Sequence, residues 1–146
     1  MNDDLKVVQI DKNSPLYQLE LELRFAVLRE PLGMTRGQVK SPVEEQCLHF
    51  VLTSGTDVYG CVLLHLESAT NGRLLQMAVA KSRQGEGLGS VLVKALEAHA
   101  INIGMASISL HSRAVAAGFY SSLGYCAYGE PFVEVGIDHV MMRREL

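Results

Sequence analysis

Gln84, Gly85, Gly87 and Gly89 fall within six positions of one another, between an apolar run and a stretch of helical period. Glycine at alternate positions lets the backbone curve tightly and approach a ligand closely. Ahead of them, Leu74, Leu75, Met77 and Val79 supply the content of a buried strand. Behind them, Leu88, Val91, Leu92, Ala95, Leu96 and His99 recur at helical spacing and predict one packed face. A helix that opens inside such a turn aims its unpaired N–H groups and positive dipole end at the turn, which is an anion site suited to phosphate or pyrophosphate. Two nucleotide motifs fail here. The dinucleotide fingerprint needs G-x-G-x-x-G, and Ser90 follows the third glycine with no acidic residue where that fold needs one. The phosphate loop needs G-K-[ST] at its close, and Gly89–Ser90–Val91 does not supply it.

The elements that must position this turn follow from the rest of the pattern. Leu5 to Ile10 predicts a first strand, and Ser14–Pro15 opens a helix that runs to Arg29 or Glu30, where Pro31 and Gly33 stop it. Residues 31 to 45 are polar and read as a long loop or a loop with one short helix, which we expect over a substrate pocket. Gln46–Thr53 and Asp57–Leu66 predict a hairpin joined by Ser54–Gly55–Thr56. Met105–His111 predicts a strand and Arg113–Leu123 a shorter helix; Tyr125–Tyr128 and Phe132–Met142 predict two closing strands around Gly129–Glu130–Pro131. The order β-α-β-β-β-α-β-α-β-β gives an α+β domain, one unit over residues 1–146, with a mixed sheet covered by helices. The net charge of −3 offers no general attraction to nucleic acid. No apolar run is long enough to span a membrane, and the opening MNDDLKVV is too acidic for a signal peptide, so a cytoplasmic protein is expected. Cys47, Cys61 and Cys126 have no metal spacing, and no metal is expected.

At Gln84-x-x-Gly87-x-Gly89 the chain resembles the GNAT superfamily of N-acetyltransferases, whose acyl-CoA signature is (Gln/Arg)-x-x-Gly-x-(Gly/Ala). Lys81 stands where that family often has proline. A second stretch, Ala116–Ala117–Gly118–Phe119–Tyr120–Ser121–Ser122–Leu123–Gly124–Tyr125, is similar to the family's Ala-x-x-Phe-Tyr-x-x-Leu-Gly-(Phe/Tyr) helix. Val27–Leu28–Arg29 with Pro31–Leu32–Gly33, and the segment from Gly129 to Met142, look like the bacterial ElaA-like branch. The resemblance implies a mostly antiparallel GNAT-like sheet and direct transfer of an acetyl group from acetyl-CoA to a primary amine in a ternary complex. The acceptor would be a small-molecule or peptide amine, and a homodimer through the last strands is compatible. A non-catalytic acyl-CoA sensor is the alternative.

By the same resemblance the donor is held by backbone at Met77, Ala78 and Val79 and by Gln84, Gly85, Glu86, Gly87, Leu88, Gly89 and Ser90, with Tyr120 as general acid toward the thiolate. The carboxylate that some members carry on the fourth strand is missing from Arg73–Ala80. Candidates for the base are therefore His65, His111, Glu134 and His139, with His111 best placed at a strand terminus, beside a solvent-assisted route with no single base. Arg113, Lys81 and Arg83 are candidates for phosphate contact.

Overall fold

In the computed structural model, which describes residues 4–146, seven strands form one sheet. Met1, Asn2 and Asp3, which open the acidic stretch noted above, lie outside the described residues. The strands are β1 (Lys6–Ile10), β2 (Cys47–Thr53), β3 (Val58–Leu66), β4 (Asn71–Val79), β5 (Ser107–Arg113), β6 (Cys126–Glu134) and β7 (Ile137–Glu145). The helices are α1 (Leu16–Arg24), α2 (Leu88–Asn102) and α3 (Ala117–Ser122), in the expected order. Across the sheet the order is β1-β2-β3-β4-β5-β7-β6. Every neighbouring pair is antiparallel except β4 and β5. No helix among the described residues is long and apolar enough to cross a membrane.

Strand alternation distributes the core over both faces. Phe50 and Leu52 of β2, with Val62 and Leu64 of β3, point to the face covered by Leu92, Val93, Leu96 and Ala100 of α2. Val51 and Cys61, one position out of phase, point to the opposite face and meet Leu23 of α1. Gly60 lets α2 come close: a Cβ there would lie 2.7 Å from Leu92 Cδ1. The packed face of α2 is rotated from the expected one. Val91 is 47% exposed and Val93 is buried, while His99 sits at the margin, edge-on to Phe50. Leu92 and Leu96 define the contact, and Leu88 and Gly89 of the first turn line an open cleft, while Val91 points away from the core.

Three further details differ from the pattern. The first helix changes to a π turn at Phe25–Arg29, where hydrophobic spacing alone reads as continuous α-helix. The loop after it is three 3-10 turns, Glu30–Leu32, Arg36–Gln38 and Glu44–Gln46. Finally, Gly129–Glu130–Pro131 does not separate two strands. It forms an irregularity inside β6, between Tyr128 and Phe132, and the hairpin turns at Val135–Gly136. β6 is an edge strand, so the missing N–H of Pro131 breaks no ladder. Val135 takes a positive φ of 48°, which a residue-type rule for turns does not anticipate.

Candidate functional site

The site begins at a defect in β4. Its pairing with β5 ends at Leu74–Leu110, so from Leu75 onward the β5 side of β4 has no strand partner. On its other side the register slips: Ala78 faces Cys61 and Leu75 faces Leu63, so Gln76 and Met77 both stand opposite Val62. Gln76 sits at φ 54°, a conformation few non-glycine residues adopt. It is held there from two sides. Arg29 Nη2 donates to Gln76 Oε1 at 3.3 Å, and Cys61 Sγ donates to the Gln76 carbonyl at 3.4 Å. The bulge turns the β4 backbone outward where the two strands part.

A cavity of about 600 Å³ opens beside this parting, bounded by Met77, Ala78 and Val79 of β4. Gln84, Gly85, Gly87, Leu88 and Gly89 form its other wall. Gly85 and Gly87 lie at φ 83° and 80°, and a Cβ on either would meet nothing within 4 Å. Gly89 is constrained differently, since a Cβ would come within 2.9 Å of Met77 Cε and 3.2 Å of Phe119 Cζ. Gln84 Nε2 donates to the Val79 carbonyl at 3.0 Å and ties the turn to the strand end. No side chain caps the N-terminus of α2. Its first amides and dipole are therefore available to an anion, which is what a diphosphate-bearing donor needs. Glu86 and Ser90 do not line this cavity; Glu86 accepts from Arg83 Nε at 3.1 Å.

A second cavity of about 690 Å³ lies on the other side of the parted strands. Val27, Met77, Ala116 and Tyr120 line both. Tyr120 is 7% exposed, packs edge-on to Phe119 and Tyr125, and has its phenol pushed up by burial. The second cavity gathers His111, Glu134 and His139 from β5, β6 and β7. His111 Nδ1 lies 2.9 Å from Glu134 Oε1 and 3.2 Å from Arg73 Nη2. One ring nitrogen cannot donate to a carboxylate and accept from a guanidinium at once; both partners are charged, and we assign the proton to Nδ1 from the shorter contact, to Glu134. His139 Nδ1 donates to the Ile137 carbonyl at 2.7 Å, with Nε2 3.8 Å from Glu134 Oε2. Phe132 separates the two imidazoles, edge-on to one and stacked on the other.

Three further sequence candidates fall elsewhere; Lys81, a candidate for phosphate contact, lines neither cavity, whereas Arg83 lines the first. His65 does not line either cavity and pairs with Gln46 Oε1 at 3.2 Å instead. Arg113, a candidate for phosphate contact, lines the second cavity and not the one beside the glycine turn, because it closes β5 beyond the parting. Arg29, Arg73 and Gln76 are the residues that sequence reasoning missed; all three line the second cavity.

The outer wall of that cavity, Ser41–Pro42–Val43, comes from the polar loop. A buried charge network anchors it. Arg24 is fully buried, with Nη1 donating to Glu20 Oε2 at 2.9 Å and Nη2 to Glu44 Oε1 at 2.8 Å and to the Val39 carbonyl at 3.0 Å. Tyr17 donates its hydroxyl to Glu44 at 2.7 Å, and His49 Nδ1 stands 3.0 Å from Glu20. Burial opposes the charge on Glu44, but the Arg24 hydrogen bonds and charge hold its carboxyl down at about 2. Burial likewise opposes the charge on His49, and the bond to Glu20 outweighs it, so its value is raised. Glu20, Glu44 and His49 stand close enough to ligate a cation, yet the Arg24 guanidinium already fills that role.

A sheet of this order, with β4 and β5 parted beside a helix opened by glycines, is the architecture of an acetyl-CoA-dependent acetyltransferase. Residues 34–146 match the family model described as an acetyltransferase (GNAT) domain, and the chain belongs to that family of N-acetyltransferases. It is 33% identical over 104 residues to the uncharacterized protein YyaT of Bacillus subtilis (strain 168), covering 71% of this chain and 70% of that one. A crystal structure from Lactobacillus plantarum superposes with TM-score 0.87 at 26% identity, covering 97% of this chain and 98% of that one. Escherichia coli ElaA shares the fold with TM-score 0.80 at 17% identity, over 97% of this chain and 99% of that one.

Proposed function

We propose that the chain transfers the acetyl group of acetyl-CoA directly to a primary amine held in the second cavity, with both substrates bound together. The observation that carries this reading is the shared wall: both cavities open onto Val27, Met77, Ala116 and Tyr120. A thioester reaching along the first cavity meets an amine lodged in the second. The turn from Gln84 to Ser90 holds the donor's pyrophosphate on the amides of α2. The amine nitrogen attacks the thioester carbon; a C–N bond forms and the C–S bond breaks. Amides of the Met77–Val79 stretch on the strand edge that β5 no longer covers support the carbonyl oxygen as it gains charge.

His111 takes the proton that the attacking nitrogen must lose. Its Nδ1–H is committed to Glu134, so the lone pair is on Nε2. Glu134 and His139 are positioning residues in this scheme. Tyr120 gives its phenolic proton to the departing sulfur. Burial raises its pKa and keeps that proton in place, and the same dry surroundings make a free thiolate unfavourable, which favours the transfer. Three free thiols support a reducing, cytoplasmic setting.

Thiol release from acetyl-CoA in the presence of amines tests the reading. Tyr120→Phe should lower kcat by roughly a hundredfold while acetyl-CoA binding, followed by calorimetry, changes little. Equal losses in both would remove Tyr120 from the chemistry. Tight acetyl-CoA binding without thiol release for any amine would leave a binding module in place of an enzyme.

A further inference from the structure

The charge in the second cavity is opposite to that of the chain. The whole sequence carries −3, yet this cavity is lined by Arg29, Arg73 and Arg113 against one carboxylate, Glu134. That carboxylate is already engaged by His111 at 2.9 Å and faces His139 at 3.8 Å. No carboxylate pairs with any of the three arginines among the described residues. Arg29 is held by neutral oxygens only, the Gln38 and Leu28 carbonyls and the Gln76 amide. Arg73 reaches His111 with Nη2, and its Nε is buried with no hydrogen-bond partner. Arg113 has no side-chain hydrogen bond or ion pair to any described residue.

Half-buried guanidiniums without a directly paired carboxylate are costly, and their forked donors match a carboxylate or phosphate in geometry. Burial, then the charges of Arg24 and Arg113, disfavours the cation at Arg29, and the charge of Glu134 offsets them only in part. An anion in the cavity would supply the counter-charge that these guanidiniums lack. Apolar surface beside them, from Val27, Leu28, Val43 and Leu75, leaves room for a side chain, and about 690 Å³ suits a small molecule.

We propose that the acceptor is a small amine that also carries an anionic group, an amino-acid-like zwitterion, whose anion is held by Arg73 and Arg113 with Arg29 behind them while its amine faces His111. This rests on the acetyl-transfer reading for the role of the amine, but the anion site stands on its own geometry. Polycationic acceptors such as aminoglycosides or polyamines are repelled by the same charges.

The test is calorimetric binding to the full chain saturated with CoA, so that it does not depend on turnover. The probes are the free proteinogenic amino acids and β-alanine, each paired with its carboxamide, together with phosphoethanolamine, spermidine and kanamycin. At least one acid is expected to bind about tenfold or more tightly than its amide, the usual worth of a charge-assisted hydrogen bond pair. Arg113→Gln and, as a second variant, Arg73→Gln should each shrink that acid-to-amide ratio toward one, with folding checked by thermal melting. Phosphoethanolamine binding above every amino acid would assign the anion as phosphate and keep the proposal. Equal binding of acid and amide in every pair, preference for spermidine or kanamycin, or no binding by any probe would overturn it. Acid-selective binding without acetylation would sink the transfer reading and leave the anion site standing.

Discussion

Arg24 and Arg29 lie on successive turns of the same helical segment, and the protein treats them in opposite ways. Arg24 is wholly buried and answered by Glu20 and Glu44 at 2.9 and 2.8 Å. Burial lowers its pKa, but the bonds and charge of Glu44, then Glu20, drive it well above the usual range. Arg29 is half-buried, has only neutral acceptors, and is shifted down. The π turn separates the two environments: α1 ends at Arg24, and Phe25–Arg29 swings the next residues into the cavity. A cation that the fold has neutralised is architecture. A cation it has left without a counter-charge is capacity kept for a ligand, held at some cost to stability.

The sharpest way to break the comparison is to unbalance the closed side. Glu44→Ala leaves Arg24 buried without its bidentate partner and should cost about 3–5 kcal/mol of stability, read from urea denaturation. The same change releases the Ser41–Val43 wall, so acceptor binding should weaken as well. A loss under about 1 kcal/mol would mean that the network behaves like a surface pair.

Acidity probes the same network more gently. The Glu44 carboxyl is depressed from 4.5 to about 2, so its contribution is complete above roughly pH 4.5 and fades as pH falls toward 2. The His49 value is raised from 6.5, so its contribution is complete below that point and fades as pH rises through the raised value. The network should therefore stabilise most between about pH 4.5 and 6.5. His49→Gln should abolish the fall in Tm on the alkaline side of that window relative to the parent chain. Parallel Tm profiles for the two proteins would remove His49 from the balance.

This contrast was largely invisible in the sequence, whereas the geometry of the glycine turn was not. The turn at Gln84–Gly89 is read from local requirements, because positive φ at Gly85 and Gly87 and an uncapped helix start are properties of neighbouring residues. The same holds for the strand order and for Tyr120 beside Phe119, since period and adjacency carry both. The Arg24 network joins positions 20, 24, 44 and 49, and only the Glu20–Arg24 spacing leaves a mark in the chain. Arg73, Arg113 and Arg29 line one cavity because β4 and β5 part after Leu74 and a π turn follows α1. Neither the parting nor the π turn has a residue-type signature. The phase of α2 slipped as well: Val91 has helical spacing but is exposed, and Val93 takes its place in the core.

The smallest expected effect on stability is also the most discriminating. Arg113→Gln removes a cation that has no hydrogen-bond or ion-pair partner among the described residues and whose charge opposes that of Arg29. Its folding free energy should stay within about 0.5 kcal/mol of the parent, or rise slightly, even as the preference for an anionic acceptor collapses. The expected pairing is thus opposite to that of Glu44→Ala, where stability falls first and binding follows from the loosened wall. Urea denaturation beside acid-versus-amide calorimetry on the same two variants separates them. If Arg113→Gln unfolds the chain as readily as Glu44→Ala does, then Arg113 is part of the scaffold. The uncompensated set would then have no claim on a ligand, and the two arginine environments would differ in exposure alone.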